Sequence, residues 1–164
     1  MDNKLNADPE YHEKGAPYLK AKHDNPSYKR ISSVLLKGMK NMPILTPSSA
    51  KGERSKRVYA LRSYESATEA LYKNKIKMFN KGGEIVLFDK LGFNAVFYGE
   101  VLVGANTPNL MYMVTFDNAE SEKAQWKTFV ASEEWKKLSK DLQYQYNLSK
   151  IDNLSLYPTE YSDY

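Results

Sequence analysis

The order of hydrophobic periods after Arg57 constrains this chain more than any other feature. A strand-like alternation, Arg57 to Tyr64, leads into a long helical pattern, Glu65 to Leu91. Two strand-like runs follow, Phe93 to Val103 and Leu110 to Phe116. A second helical stretch carries Trp126 and Trp135, and a short strand pattern over Ile151 to Tyr157 closes the set. That order, β-α-β-β-α-β, predicts a ferredoxin-like, split βαβ fold of the α+β class, with one sheet and helices on one face. It names an architecture and not a reaction.

The details of each segment sharpen the expectation. In the first strand, Tyr59, Leu61 and Ser63 share one face, and Val58, Ala60, Arg62 and Tyr64 share the other. Along the first helix, Leu71, Met78 and Ile85 recur at heptad spacing, with Tyr72, Ile76, Phe79 and Val86 in the adjacent row. Gly82 and Gly83 interrupt it. Each glycine costs a helix about 1 kcal/mol relative to alanine, so the pair marks a break or a close backbone approach, or leaves room for a ligand beside the sheet. Asp117-x-x-Glu120 reads as a capping box for the second helix, which sets Trp126, Phe129 and Val130 on one side. Ser132 then caps a continuation with Trp135, Leu138 and Leu142 in register. Gly104 to Asn109 reads as a loop between the middle strands, and the polar tail from Tyr157 to Tyr164 reads as a segment that wraps over a neighbour.

Three stretches organise the chain: residues 1–47, a small polar linker over 48–55, and a main domain over 56–164. Pro9, Pro17, Pro26, Pro43 and Pro47 forbid one long helix in the first stretch. It also echoes the domain's end. Ala7-Asp8-Pro9-Glu10-Tyr11 resembles Ala131-Ser132-Glu133-Glu134-Trp135, and Arg30 to Leu36 resembles Lys150 to Leu156. The echo makes residues 1–47 a candidate remnant of a first ferredoxin-like domain, its last helix and strand.

Composition excludes several classes of function. Of 164 residues, 41% are apolar, enough for a packed core, and the absence of cysteine removes disulfides, thiolate metal sites and a thiol nucleophile. Net charge is +4, but residues 1–57 hold 12 Lys+Arg against 6 Asp+Glu, leaving 12 against 14 in the rest. The basic excess thus lies outside the main domain, and no nucleic-acid partner is expected. No run of about 18 apolar residues offers a membrane span. Met1 to Leu19 is charged throughout and lacks the apolar core of a signal peptide.

The strands are apolar on both faces, while helices cover only one. A second sheet from another copy is the usual cover, so a homodimer closing a shared barrel is expected. Chemistry is sparse. There is no phosphate loop, dinucleotide fingerprint or zinc spacing, and no cofactor is expected. His12 and His23 both precede the main domain and read as surface residues. The pocket candidates are Arg62, Tyr64, Glu84, Tyr98, Glu100 and Tyr112. An Arg62–Glu100 pair across the sheet would be structural, whereas Arg62 holding a small acidic or phenolic molecule would leave a Tyr or Glu to handle a proton. A cavity of about 300 Å³ lined by Arg62 and several tyrosines separates the readings: its presence favours an enzyme, a packed interior favours a binding module.

The residues Val58-Tyr-Ala-Leu-Arg-Ser-Tyr64, Met78-Phe-Asn-Lys-Gly-Gly-Glu-Ile85, Phe88 to Gly92 and Tyr98-Gly-Glu100 resemble the NIPSNAP family. Asn109 to Phe116 and the positions of Trp126 and Trp135 fit as well, so the resemblance covers roughly 56–160. It implies a dimeric α+β barrel. Related barrels include small cofactor-free monooxygenases, isomerases and haem-handling proteins, and the lack of a histidine in this domain weakens the last. The expected function is therefore a homodimeric binding or interaction module, with a cofactor-free monooxygenase or isomerase as the alternative.

Overall fold

The computed structural model describes residues 3–162. The chain divides into two compact units, one ending at Ser33 and the other beginning at Val34. The first holds three short helices: α1 (Asn3–Asn6), α2 (Pro9–Lys14) and α3 (Ala16–Leu19). Asp8 caps α2 by accepting from the amides of Glu10 at 2.9 Å and Tyr11 at 3.2 Å. Pro9 lies in the first turn, where a missing amide proton breaks no helical bond.

The second unit contains β1 (Leu35–Gly38), β2 (Val58–Glu65), α4 (Glu69–Asn80), α5 (Glu84–Lys90), β3 (Asn94–Val103), β4 (Asn109–Phe116), α6 (Ala119–Ala131), α7 (Glu133–Lys140) and β5 (Lys150–Leu156). The strands form one sheet in the order β1-β3-β4-β2-β5, and each neighbouring pair is antiparallel. Without β1 this is the ferredoxin-like arrangement that the periods predict. β1 extends the sheet by a fifth strand along β3, so the segment from Val34 to Pro47 belongs with the sheet unit. Of the stretch that echoes β5, only Leu35 and Leu36 are in a strand.

The 48–55 stretch, expected as a linker, lies against the sheet. Ser48 Oγ meets Thr115 Oγ1 at 2.7 Å, and the Asp117 carboxylate accepts from the amides of Lys51 (2.7 Å) and Gly52 (3.0 Å). That occupation of Asp117 moves the helix cap by one residue. The cap of α6 is Asn118, whose side chain accepts from the Ser121 amide at 2.8 Å while Ser121 Oγ accepts from the Asn118 amide at 3.0 Å.

The long helix expected over 65–91 is two helices. Glu65 still belongs to β2, and Thr68 caps α4 by accepting from the Leu71 amide. The glycine pair then breaks the rod. Gly83 has φ +88°, a left-handed conformation open to glycine, and caps α5. A side chain on Gly82 would stand 2.5 Å from the Met78 carbonyl oxygen. Ser132 caps α7 as expected, but the chain turns after Lys140, so Tyr144 faces inward and Leu142 is 88% exposed. Val130 also faces solvent, unlike its neighbour Phe129.

The core lies between the helices and one face of the sheet. Phe88 of α5 is its centre. Its ring stacks on Phe129 of α6 at 4.7 Å and meets Phe93 at 4.8 Å, Tyr112 at 5.8 Å and Trp126 at 5.9 Å. Such pairs contribute about 0.5–1.5 kcal/mol each beyond the area they bury.

Candidate functional site

Strand register settles a question that alternation leaves open. Arg62 of β2 stands opposite Tyr112 of β4, which stands opposite Tyr98 of β3. One rung along, Tyr64, Leu110 and Glu100 are aligned. All five candidate strand residues therefore face the helices. Glu84 reaches the same layer from the first turn of α5.

They divide into separate groups. The hydroxyls of Tyr64 and Tyr112 are 2.8 Å apart, and their rings meet edge to face at 5.3 Å. Arg62 lays its guanidinium over Trp126 at 4.5 Å and over Tyr64 at 5.6 Å. Its Nε is buried with no hydrogen-bond partner. The expected Arg62–Glu100 pair is not formed. The register sets the two residues on different rungs, with β4 between their strands. Glu100 instead accepts from the Tyr72 hydroxyl at 3.5 Å. Burial, with Glu100 beside it, pushes the Tyr72 hydroxyl pKa up to about 12.

Glu84 is committed to a residue that the sequence reading passed over. Lys75 of α4 donates to its carboxylate at 2.8 Å, and both side chains are buried. The ammonium also lies 4.9 Å from the Phe79 ring and 5.7 Å from Tyr64. Position 75 lies one turn after Leu71 and one before Met78 and Phe79, so it falls inside the apolar stripe. A lysine on that stripe was the available signal.

Electrostatically this layer is closed. Burial raises the hydroxyl pKa of Tyr64, Tyr98 and Tyr112, so each stays neutral at physiological pH. Among the described residues no group of three or more His, Asp or Glu could hold a metal ion. No helix is long and apolar enough to cross a membrane among the described residues.

Two further features complete the picture. A cavity of about 620 Å³ opens beside the edge of β3, between α5 and the segment after β1. Tyr98 lines it, whereas Arg62, Tyr64 and Tyr112 do not. On the sheet's other face, Leu61, Phe97, Met111 and Met113 form a half-buried apolar surface. Tyr59 lies on that face too, in a hollow shared with Met113, Leu156, Tyr157, Pro158 and Ser162. The tail thus returns over its own sheet, where Arg54 donates to the carbonyls of Thr159 and Ser162. The last two residues of the tail lie outside the described range.

The sequence profile of the NIPSNAP family matches residues 59–163. Among curated proteins, no sequence matches this chain. Several solved structures resemble it. An uncharacterised NIPSNAP-like domain protein from Burkholderia xenovorans superposes with a TM-score of 0.55 at 18% identity, covering 66% of this chain and 90% of that one. A NIPSNAP family protein from Agrobacterium tumefaciens gives 0.57 at 15% identity, covering 65% and 97%. Another from the same organism, described as of unknown function, gives 0.56 at 16%, covering 68% and 96%. At these identities the likeness shows a shared fold.

Proposed function

Because this chain belongs to the NIPSNAP family, with the family's sheet and helices, we propose that it works as a homodimeric binding or interaction module. Two copies pair through the open faces of their sheets and close an α+β barrel. The observation that carries this reading is the filled interior. Tyr64 is engaged with Tyr112 and Glu84 with Lys75, and the Arg62 guanidinium lies over the Trp126 ring, with its buried Nε facing no cavity. A cofactor-free monooxygenase or isomerase would need a cavity reaching Arg62 and the tyrosines, and the packing of Phe79, Phe88 and Trp126 fills that volume.

The open face supplies the partner surface. Leu61, Phe97, Met111 and Met113 leave a two-layer fold with apolar area on its third side. Stacked sheets pack about 10 Å apart and bury such faces against each other. Introducing charge there tests the reading. Met111→Lys with Met113→Lys is expected to weaken self-association by more than tenfold in sedimentation velocity while the circular dichroism spectrum stays unchanged. A double variant that associates as wild type does would remove the open face from the account.

A further inference from the structure

The cavity beside β3 holds a polar group that nothing in the fold uses. Tyr98 is 2% exposed, the most buried of the residues lining it, yet its hydroxyl has no hydrogen-bond partner among the described residues. The ring is held firmly. It stacks on Tyr112 at 5.6 Å and Phe88 at 6.0 Å and meets Phe79 at 6.0 Å. The ring is buried but the hydroxyl oxygen opens onto the cavity, so with no protein partner among the described residues it is free to bond a ligand atom there.

The rest of the cavity adds chemical character. Met42, Ile85, Val86 and Phe93 make its walls apolar. Among the described residues Asp89 is the only charged one lining it, is exposed, and belongs to no ion pair. Burial, with Glu84 and then Asp89 nearby, raises the Tyr98 pKa and keeps that hydroxyl neutral. The outer wall is fixed rather than loose. Thr46 donates its amide to the Val96 carbonyl at 2.9 Å, Ser49 Oγ donates to Asn94 Oδ1 at 2.5 Å, and Asn41 makes two bonds to Asn80.

A neutral hydrogen-bonding group at depth, an apolar middle and an anion at the mouth select a ligand of matching order. We propose that this cavity is a binding site for small amphipathic amines. A hydroxyl or carbonyl at one end bonds to Tyr98, an aromatic or branched body packs on Ile85 and Phe93, and an ammonium meets Asp89. The site is on the helix side of the sheet, so it stands independently of whether two copies associate through the open face.

Tyramine is the probe, with phenethylamine and 3-(4-hydroxyphenyl)propanoate as comparators, followed by amide chemical shifts of the full chain. Tyramine is expected to bind saturably, with shifts at Ile85, Phe93 and Tyr98. Exchanging its ammonium for a carboxylate replaces a rim attraction by a repulsion, which should weaken binding about tenfold. Asp89→Asn should abolish that preference, and Tyr98→Phe, which keeps the ring, should abolish the preference for tyramine over phenethylamine. The ligand series on the unaltered protein needs no variant to fold. Absence of saturable tyramine binding, equal affinity for amine and acid, or shifts confined to other residues would each overturn the proposal. Light scattering on the same samples reads self-association separately.

Discussion

Lys75 and Glu84 form an ion pair at 2.8 Å with side chains 4% and 2% exposed. The pair ties α4 to α5 across the glycine break and lies under the rings of Phe79 and Tyr64. Among the described residues neither has another opposite charge in an ion pair, so its energetics are asymmetric. Removing one partner leaves a buried uncompensated charge, which costs about 3–5 kcal/mol. Glu84→Leu and Lys75→Met are each expected to lower stability by that amount in urea unfolding. The double variant is expected to recover most of the loss, because a well-packed apolar pair is often as stable as the ions it replaces. Single variants within about 1 kcal/mol of wild type would show that water reaches the pair.

The aromatic cluster predicts a contrast between adjacent residues. Phe129 is 3% exposed and stacks on Phe88, whereas Val130 is 59% exposed. Phe129→Ala is expected to cost about 3–5 kcal/mol through lost burial and a cavity, and Val130→Ala at most about 0.5 kcal/mol. Thermal unfolding of the two variants measures the difference. Similar midpoints would contradict the assignment of faces on α6.

Gly83 isolates a purely conformational effect. Nothing lies within 4 Å of a Cβ added there, but φ is +88°. Gly83→Ala is therefore expected to cost about 1–2 kcal/mol without any clash, and Gly83→Asn less, since Asn tolerates the left-handed region better. Equal stability of the alanine variant and wild type in urea would mean that the α4–α5 turn adopts another conformation.

Asp117 predicts an acid limb. The amides of Gly52 and Lys51 hold its carboxyl below its ordinary 3.8. A depressed folded-state pKa contributes stability that is present above the unfolded value and is lost as pH falls through the folded one. Unfolding midpoints should therefore drop below about pH 4 in wild type, and the drop should be smaller in Asp117→Asn. Identical pH profiles for both proteins would exclude a contribution from the Asp117 anchor.

Much of the fold was legible because it rests on local periods. The period-two runs became β2 to β5, and the aromatic positions at helical spacing, Phe79, Trp126 and Phe129, became part of the core or pack against it. What escaped depends on non-local partners. β1 is recognisable only beside β3. The cap moved from Asp117 to Asn118 because Lys51 and Gly52, far away in sequence, engage Asp117. Of the candidate residues, Arg62, Tyr64, Tyr98, Glu100 and Tyr112 share a face, but register separated Arg62 from Glu100. Lys75 was visible as a lysine inside an apolar stripe, but its partner Glu84 became known only from the turn between α4 and α5. The unpaired hydroxyl of Tyr98 could not be read from alternation at all, since it depends on where Met42 to Ser49 cross.

The mass of the purified protein in solution tests the central claim most directly. Light scattering over a range of concentrations is expected to give twice the 18.9 kDa of one chain, with the open sheet faces buried against each other. A mass of 18.9 kDa at every concentration would contradict the account, because the apolar face around Met111 and Met113 would then stand in water without a partner.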